Sequence, residues 1–525
     1  MKHSLVAWIG MAAALALLGG GCMSSRYVDR IVRDVVSNKA QSVAESSNTM
    51  EDAFAKIEDT NQVPASIAMD LATALRLATQ YSRSLQTKRE TLYLQGLDTL
   101  KVRRQFGPQY AGTLDYVLNW PSDASRNGGG GLGLTASQML DSGGTLAAKA
   151  NSTTSFQNGG TNGTADTYRN SAGVSFTQPL YQGAGYEASH ELEIQAERQL
   201  LYQLRAFAME RQDFAIKMMN SYYGLLTEKA NVDNTRTNVS QATFLRRRSE
   251  AMFKVRKAKI DDVLRARQNE LIASNNLSSV EIGLDVKVSR FLMDLGLPVD
   301  TRVSLTGTVP DLRSDALDEE TCIRLALDLR LDLMTERERV ADAERHVRIA
   351  KNAMLPQVDA MGTAGVDGNS DDSLVDQDYE NTLSAGVRMV LPLDKRNERD
   401  DLRRKKIMLD QSRRALSEKN DGIKVEIIDS FRRLKVQEQT VIMQKENTDL
   451  AERNVRATMM RFKNGEVDNL SVVAAQESLL SAKNTYIREL AAYAGQRVQL
   501  MRNMGLLDVR AEGTLVELPI PKEQP

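Results

Sequence analysis

The chain has 525 residues, in which 68 Lys and Arg nearly balance 69 Asp and Glu. Because the net charge is close to zero, it indicates neither a nucleic-acid partner nor a strongly acidic surface. Hydrophobic residues make up 42% of the chain, aromatic residues only 5%, and the mean hydropathy is −0.38. This composition favours a polar, elongated protein of one large or two medium domains over a densely packed globular one.

The first residues, MKHSLVAWIGMAAALALLGGGCMSS, have the pattern of a secretory signal peptide. An apolar run from Leu5 to Leu18 follows a basic start and is too short for a transmembrane helix. Its end resembles a lipobox, the motif at which the signal peptide is removed before a lipidated cysteine. The match is imperfect, because Leu18 lies four residues before Cys22 and Gly19 takes the usual leucine position. We predict residues 1–21 as signal peptide and Cys22 as a lipid anchor, with ordinary cleavage nearby as the alternative.

The cysteine count and the hydropathy of the later segments limit which disulfides and membrane-spanning elements are expected. If Cys22 is acylated, Cys322 is left alone and no intrachain disulfide is expected. No later segment is long and apolar enough to be a transmembrane helix. Any membrane crossing would therefore be made by β-strands. Residues 22–66 form a polar N-terminal periplasmic segment in this interpretation.

Two parts of the chain resemble each other. The segment LRLATQYSRSLQTKRE at 75–90 aligns without gaps with IRLALDLRLDLMTERE at 323–338. The same register aligns GPQY at 107–110 with LPQV at 355–358. A duplicated structural unit explains this self-similarity most economically.

Each Pro-Gln pair is followed by alternating apolar and polar residues, and each half then offers a returning strand. Period two over about ten residues matches the length of a tilted strand that crosses a bilayer. Tyr110 and Trp120, at opposite ends of the first stretch, fit aromatic girdles. The alternative is a half-buried strand of a soluble sandwich. The predicted strands are about 109–120, 171–182, 357–367 and 379–393.

Prolines mark the places where helices and strands are expected to meet. Pro108 and Pro356 each follow a helix-like pattern, and proline both lacks the next backbone donor and biases the preceding residue toward extended geometry. Pro179 and Pro392 lie in the returning strands and are assigned to the same kind of junction.

Long helical patterns follow each pair of strands, from about 186 to 296 and from about 397 to 505. Positions three and four residues apart form a narrow seam of mostly small and medium apolar residues, typical of coiled-coil packing. The seam consists of Val263, Ala266, Glu270, Ala273, Leu277, Val280, Leu284, Lys287 and Phe291. Helices this polar suit a wall one helix thick. Each half is therefore predicted as helix, strand, strand and helical hairpin.

The Gly, Ser, Thr and Asn-rich segment at 127–166 allows two interpretations. It is either an external loop or an additional hairpin that turns at DSGG, since Leu132, Leu134 and Ala136 alternate with polar residues, as do Leu146, Ala148 and Ala150. The pattern does not decide between them.

The ordered motifs, found twice, resemble the TolC-like outer-membrane efflux channel family, as a lipoprotein-type member. The resemblance covers roughly residues 67–507, with a first repeat at 67–310, a second at 311–507 and a tail at 508–525. It implies a homotrimer in the cell outer membrane, with four strands per chain closing a 12-stranded β-barrel above an α-helical periplasmic tunnel. The implied function is the exit duct of a tripartite efflux or type I secretion system.

The same resemblance implies the partners and the docking residues. The partners are a periplasmic adaptor (membrane fusion) protein, an inner-membrane pump and outer-membrane lipid. The two helical turns would be the docking tips, with the residues Val255, Asp262, Phe462, Gly465 and Asp468. Gly465 would set one turn, and Asp262 would lie near the constriction.

The chain departs from the family pattern at these tips. Ser471 and Ala474 occupy positions where many members carry a ring of aspartates, whereas Glu466 and Asp468 lie one turn earlier. The first tip is basic, from Arg246 to Lys259. These charges are either a solvated helix face or an electrostatic contact with an adaptor.

Other function classes are less well supported. The histidines His3, His190 and His346 show no zinc-type spacing, and no phosphate-binding glycine loop occurs, so no enzyme, metal or cofactor is expected. The stronger alternative is a periplasmic coiled-coil adaptor or structural lipoprotein without a pore. An adaptor has a single hairpin, whereas two hairpins and paired bilayer-length strands are predicted here.

Overall fold

The computed structural model describes residues 66–119, 126–158, 165–256, 258–312, 318–371, 377–464, 466–510 and 513–518. Within these ranges the chain forms two compact units. The first contains residues 92–204 and 336–416, and the second contains residues 66–91, 205–335 and 417–518.

The order of the helices and strands matches the predicted one in the second repeat and has two additional strands in the first. The helices and strands are β1 (Ser66–Met69), α1 (Leu71–Tyr81), α2 (Arg83–Phe106), β2 (Gln109–Asn119), β3 (Arg126–Met139), β4 (Thr145–Asn158), β5 (Ala165–Pro179), α3 (Tyr186–Ser189), α4 (Glu191–Lys254), α5 (Ile260–Leu295), β6 (Arg302–Leu305), α6 (Glu319–Leu329), α7 (Leu331–Asn352), β7 (Gln357–Ser370), β8 (Asp378–Val390), α8 (Arg396–Asn464), α9 (Asn469–Asn503), β9 (Leu507–Val509) and β10 (Leu515–Glu517).

One antiparallel sheet dominates the first unit. Its six strands lie in the order β2-β3-β4-β5-β7-β8, which is also their order along the chain. The pairing runs along nearly the whole length of each strand, for example from Gln109 opposite Ser137 to Asn119 opposite Asn127. Strands of both repeats therefore share one continuous sheet.

The number of strands differs from the prediction of four per chain. The first repeat contributes four strands to the sheet, because residues 126–158 form the hairpin β3–β4 rather than a loop. Gly143 in the DSGG turn has a positive φ of 87°, a conformation that glycine adopts without steric cost. The turn closes with Leu140 N–H donating to the Gly144 carbonyl at 2.7 Å. The 12-stranded total, which assumed four strands per chain, no longer follows.

The helical hairpins are long and mostly polar. The helices α4 and α8 have 64 and 69 residues, which corresponds to about 95 and 105 Å at the rise of an α-helix. Eight of the nine predicted seam positions of α5 are buried or partly buried, and Lys287 is exposed. Most other positions of this helix are exposed. A narrow apolar stripe is what a helix needs when only one or two of its sides pack against neighbours.

The core of the second unit surrounds a two-stranded parallel sheet. In it β1 pairs with β6, with Ser66 opposite Arg302 and Met69 opposite Leu305. Apolar residues of α1, α4 and α5 pack around it, among them Leu75, Met218, Phe291 and Leu295. Tyr222 of α4 is buried there and donates its hydroxyl to the Met69 carbonyl at 3.1 Å. This contact satisfies the phenol inside the core.

Candidate functional site

The six-stranded sheet has one apolar face that crosses every strand. The ladder places Leu114 opposite Leu132, Ala148 opposite Val174, and Ala364 opposite Leu383 on this face. Aromatic residues lie toward its two ends, with Tyr116, Phe156, Tyr168 and Tyr379 at one end and Tyr110 and Phe176 at the other. The predicted girdle residue Tyr110 thus lies at one end of the apolar face, and Trp120 lies outside the described residues.

The opposite face of the sheet is polar and carries charge. It contains Thr113, Asp115, Asn119, Lys149, Asn151, Arg169, Ser171, Asp367, Glu380, Thr382 and Arg388. Arg388 pairs with the buried Asp359 at 3.2 Å between β8 and β7. The predicted polar side chains Asp115, Asn119, Thr382 and Arg388 all lie on this one face.

Both faces of the sheet are open in a single chain. On the apolar face, Leu114 is 85% exposed and Leu383 is 87% exposed. An apolar surface of this extent needs an apolar environment or a partner to cover it. The polar face, with exposed Thr113 and Thr382, is suited to water. The sheet is therefore able to separate an apolar phase from an aqueous one.

Glycines of β3 make room for the side chains of its neighbours. A Cβ on Gly128 would lie 2.6 Å from the Phe156 ring, and one on Gly130 would lie 3.2 Å from the Tyr116 ring. Gly128 and Gly130 thus have a packing role, because the rings of the adjacent strands lie against them. Strand glycines commonly mark such close approach.

The four predicted junction prolines all lie where helices and strands meet. Pro108 separates α2 from β2, and Pro179 is the last residue of β5. Pro356 directly precedes β7, but α7 already ends at Asn352, so the helix stops three residues before Leu355. Turn residues 353–355 make this transition, with Leu355 N–H donating to the Asn352 carbonyl at 2.9 Å. Pro392 lies in the segment between β8 and α8.

His190, which the sequence pattern did not mark as a functional residue, is buried beside the start of α4. His190 is 3% exposed and stacks between the rings of Phe106 and Tyr186, at centroid distances of 4.7 and 4.5 Å. Its Nε2 lies 3.9 Å from Asp141 of the β3–β4 turn. The contact links the helix α2, the start of α4 and the added hairpin. In the sequence, only the aromatic residues Phe106 and Tyr186 could have indicated this buried site.

A buried charged network joins the two repeats inside the first unit. Arg345 of α7 donates to Asp342 at 2.7 Å and to Glu191 of α4 at 2.8 Å. Tyr202 of α4 donates to Asp342 as well. Arg345 and Asp342 are each only 5% exposed, so both charges depend on these partners.

The two predicted tips lie side by side in the second unit. The first turn joins α4 to α5, and the second joins α8 to α9. Asn469 Nδ2 donates to the Asp262 carbonyl at 3.4 Å across the two turns. The two hairpins of one chain therefore meet at their turns. Gly465 lies outside the described residues.

The acidic residues at the tips cap the helices that leave the turns. Asp262 accepts a hydrogen bond from the Lys259 backbone N–H at 3.1 Å. Asp468 accepts from the Ser471 N–H at 3.0 Å and from the Ser471 hydroxyl at 2.7 Å, and these bonds lower the pKa of the Asp468 carboxyl. Local helix capping thus accounts for these carboxylates.

An apolar cluster holds the tips together. Phe462, which is 9% exposed, packs with Leu245 and Val472, and the Arg248 guanidinium lies 4.8 Å from its ring centroid. Since Phe462 is buried, it supports the tip from inside rather than presenting a contact surface. Val255, in contrast, is 63% exposed.

One basic residue of the first tip, Arg246, has two acidic partners. Arg246 pairs with Glu250 at 2.8 Å and with Glu270 at 2.5 Å. Hydrogen bonds from Thr243 and Arg246 lower the pKa of the Glu270 carboxyl. At least Arg246 is therefore part of a charge network within the chain.

Neither a membrane-spanning helix nor a metal-binding cluster occurs among the described residues. No helix among them is both long and apolar enough to cross a membrane. Within the same residues no group of three or more His, Cys, Asp or Glu side chains is placed to hold a metal ion.

The fold matches solved outer-membrane proteins. VceC from Vibrio cholerae is 15% identical with a TM-score of 0.63, covering 83% of this chain and 96% of that chain. The outer membrane channel CmeC from Campylobacter jejuni is 13% identical with a TM-score of 0.60, covering 83% of this chain and 85% of that chain. The outer membrane channel MtrE from Neisseria gonorrhoeae is 11% identical with a TM-score of 0.59, covering 83% and 88%.

These likenesses and the amphipathic sheet define the class as a protein with the fold of outer-membrane channels. No curated protein sequence matches the chain. The family model described as outer membrane efflux protein, however, matches residues 322–506, which lie in the second repeat. The predicted resemblance to the TolC-like outer-membrane efflux protein family is confirmed over this part of the chain.

Proposed function

We propose that the protein is the exit duct of a tripartite efflux or type I secretion system and is not an enzyme. Three copies would close their sheets into a barrel in the outer membrane, and their helices would line a tunnel through the periplasm. The observation that carries this proposal is the sheet with one apolar face, aromatic residues near both ends of that face, and one polar, charged face. Such a sheet fits lipid on one side and water on the other.

The proposed partners follow from the same architecture. A periplasmic adaptor would bind the helical tips, and an inner-membrane pump would supply the substrate. Exposed Val255 is the tip residue best placed for this contact. Asp262, Phe462 and Asp468 would instead shape the tip, because they cap helices or lie inside the apolar cluster. Gly465 would complete the second turn, and lipidated Cys22 would anchor the chain; both lie outside the described residues.

A planar lipid bilayer tests the channel proposal directly. Purified full-length protein should run as a trimer that dissociates on heating in detergent, and it should produce discrete conductance steps in the bilayer. The absence of heat-labile trimers together with the absence of conductance at every voltage would refute the proposal.

Cell fractionation tests the alternative of an adaptor or structural lipoprotein without a pore. An outer-membrane channel should stay in the outer-membrane fraction after washing with high salt. Recovery in the soluble periplasm, or release by salt as peripheral material, would favour the alternative.

The docking proposal is tested with a photo-crosslinking residue at position 255 in intact cells. The expected product joins this chain to a periplasmic protein that has a helical hairpin, as mass spectrometry would identify it. The control position is 299, since Val299 is 60% exposed and lies between α5 and β6, away from both turns. Equal products from both positions would argue against docking at the tips.

A further inference from the structure

We propose that the wall of the barrel has 18 strands, because three copies of this chain each contribute all six strands of the sheet. The strand β8 of one copy would pair with β2 of the next copy. This inference rests on the proposed trimeric channel and specifies its membrane part. It departs from the 12-stranded barrel that the family resemblance implies.

The added hairpin lies inside the sheet, between β2 and β5. The strand β2 pairs with β3 along its whole length and is not adjacent to β5. The strands β3 and β4 pair over 14 residues, and β4 pairs with β5 over a further 13. The hairpin therefore lies between the strands that a four-stranded sheet would have joined, and it cannot leave the wall without breaking the sheet.

The hairpin also has the same two faces, one apolar and one polar, as the rest of the sheet. Leu134 and Ala150 continue the apolar face, opposite Gly112 and Ala172 of the neighbouring strands. On β4, Lys149 and Asn151 alternate with them on the polar face. An external hairpin in water would not need an apolar face in register with a bilayer-facing one.

The two edges of the sheet are suited to pair with each other between neighbouring copies. Among the described residues, no strand covers the outer edge of β2 or that of β8. Open edges with exposed Leu114 and Leu383 would invite uncontrolled pairing, and barrels avoid this by closing. An even number of strands makes β2 and β8 antiparallel to each other, so β8 of one copy can continue the antiparallel order with β2 of the next. Such head-to-tail contacts close into a ring under threefold symmetry.

The strand number sets the width of the opening. With strands about 4.8 Å apart and tilted by about 40°, an 18-stranded barrel has a backbone diameter of about 36 Å, whereas 12 strands give about 24 Å. Barrels of 16 to 18 strands leave an aqueous channel. The outer-membrane opening would therefore not select among small solutes, and selection would fall to the helical part of the duct.

Spin labels placed one at a time along β4 of the full-length protein in liposomes test the inference. We expect labels at 148 and 150, on the apolar face, to collide often with oxygen and rarely with a water-soluble nickel chelate. Labels at 149 and 151, on the polar face, should show the reverse, with a several-fold change in the collision ratio at each step. Labels at 363 and 364 of β7 are the matched reference, because β7 belongs to the wall for either strand number.

The outcomes distinguish this inference from the proposed function. Alternation on β7 with uniform access of nickel along β4 would place the hairpin outside the wall and overturn the 18-stranded barrel only. The absence of alternation on both strands would overturn the channel itself. As a second measurement, electron microscopy of the trimer in lipid nanodiscs should show a barrel about 36 Å across, and a width of about 24 Å would refute the inference.

Discussion

The cap of α9 at the second tip allows a quantitative test of how the tip is held. Asp468 accepts two hydrogen bonds from Ser471, one from the backbone N–H at 3.0 Å and one from the hydroxyl at 2.7 Å. The substitution Asp468→Ala removes the carboxylate oxygen that accepts both of these bonds at the first turn of the helix. Loss of such a cap costs about 1 kcal/mol, which corresponds to about a fivefold increase in the opening of that turn.

Hydrogen exchange of the full-length protein, followed by mass spectrometry, measures this opening. In peptides that cover residues 469–473, we expect exchange to be about fivefold faster in Asp468→Ala than in the unmodified protein. Asp468→Asn is the matched control, since asparagine caps helices about as well as aspartate. Equal exchange in Asp468→Ala and the unmodified protein would refute the role of the cap.

The effect of pH on the same peptides gives a second readout. The hydrogen bonds from Ser471 hold the pKa of the Asp468 carboxyl below its usual range, so the folded-state pKa lies below the unfolded-state value of about 3.9. The stabilisation is therefore fully present above that unfolded-state value and is lost as the pH falls through the folded-state pKa. Between pH 5 and 7 the protection of the turn should stay constant, and below about pH 4 it should fall in the unmodified protein more than in Asp468→Asn.

Three further predictions follow from the described contacts. Gly296→Ala should lower the temperature of unfolding in a calorimetric scan, because Gly296 has a φ of 83° and an added Cβ would lie 2.0 Å from the Tyr81 carbonyl oxygen. Gly283→Ala, at an open helical position, should instead raise it slightly, and an equal decrease in both variants would contradict the argument. Arg345→Met should lower the free energy of unfolding by about 3 kcal/mol, because it leaves Asp342 and Glu191 without their shared cation. In a double-mutant cycle, Asp342→Asn should recover part of this loss. Strict additivity of the two substitutions would argue against the network. Burial raises the pKa of the Cys322 thiol to about 11. At pH 8 a thiol reagent should therefore react with Cys322 only after unfolding, and fast labelling of the folded protein would show that the site is open.

Repetition made the order of the elements predictable. The Pro-Gln motif recurs, the period of two is clear beside Tyr110 and Val358, and the hairpins are long enough for their helical pattern to be unmistakable. The predicted strands differ from the observed bounds by a few residues, as at the start of β5, since local periodicity does not determine where pairing ends.

The strand count illustrates what periodicity leaves open. Leu132 and Leu146 begin alternating patterns, but the glycines around them are as common in loops as in strands. Whether such a segment joins a sheet depends on the neighbours that cover its glycines, here Tyr116 and Phe156. Those contacts join residues far apart in the chain, so the local sequence carries no direct sign of them.

At the tips, some residues could be assigned from the local sequence, whereas the role of others depends on distant parts of the chain. The positions of the turns and the capping carboxylates, Asp262 and Asp468, follow from local spacing. The burial of Phe462 depends on Leu245, more than two hundred residues earlier.

The sequence by itself determined the duplicated plan, the two faces of each strand, the long polar hairpins and the family, because each of these is set by local periodicity or by a repeated motif. Only the tertiary structure decided that the added hairpin lies in the middle of the sheet, that Arg345 and Asp342 are buried together, and that the two turns of one chain meet. These features depend on contacts between segments that are far apart in the chain. Each contact stabilises the fold only when both segments are in place, so the local sequence of either one does not reveal it.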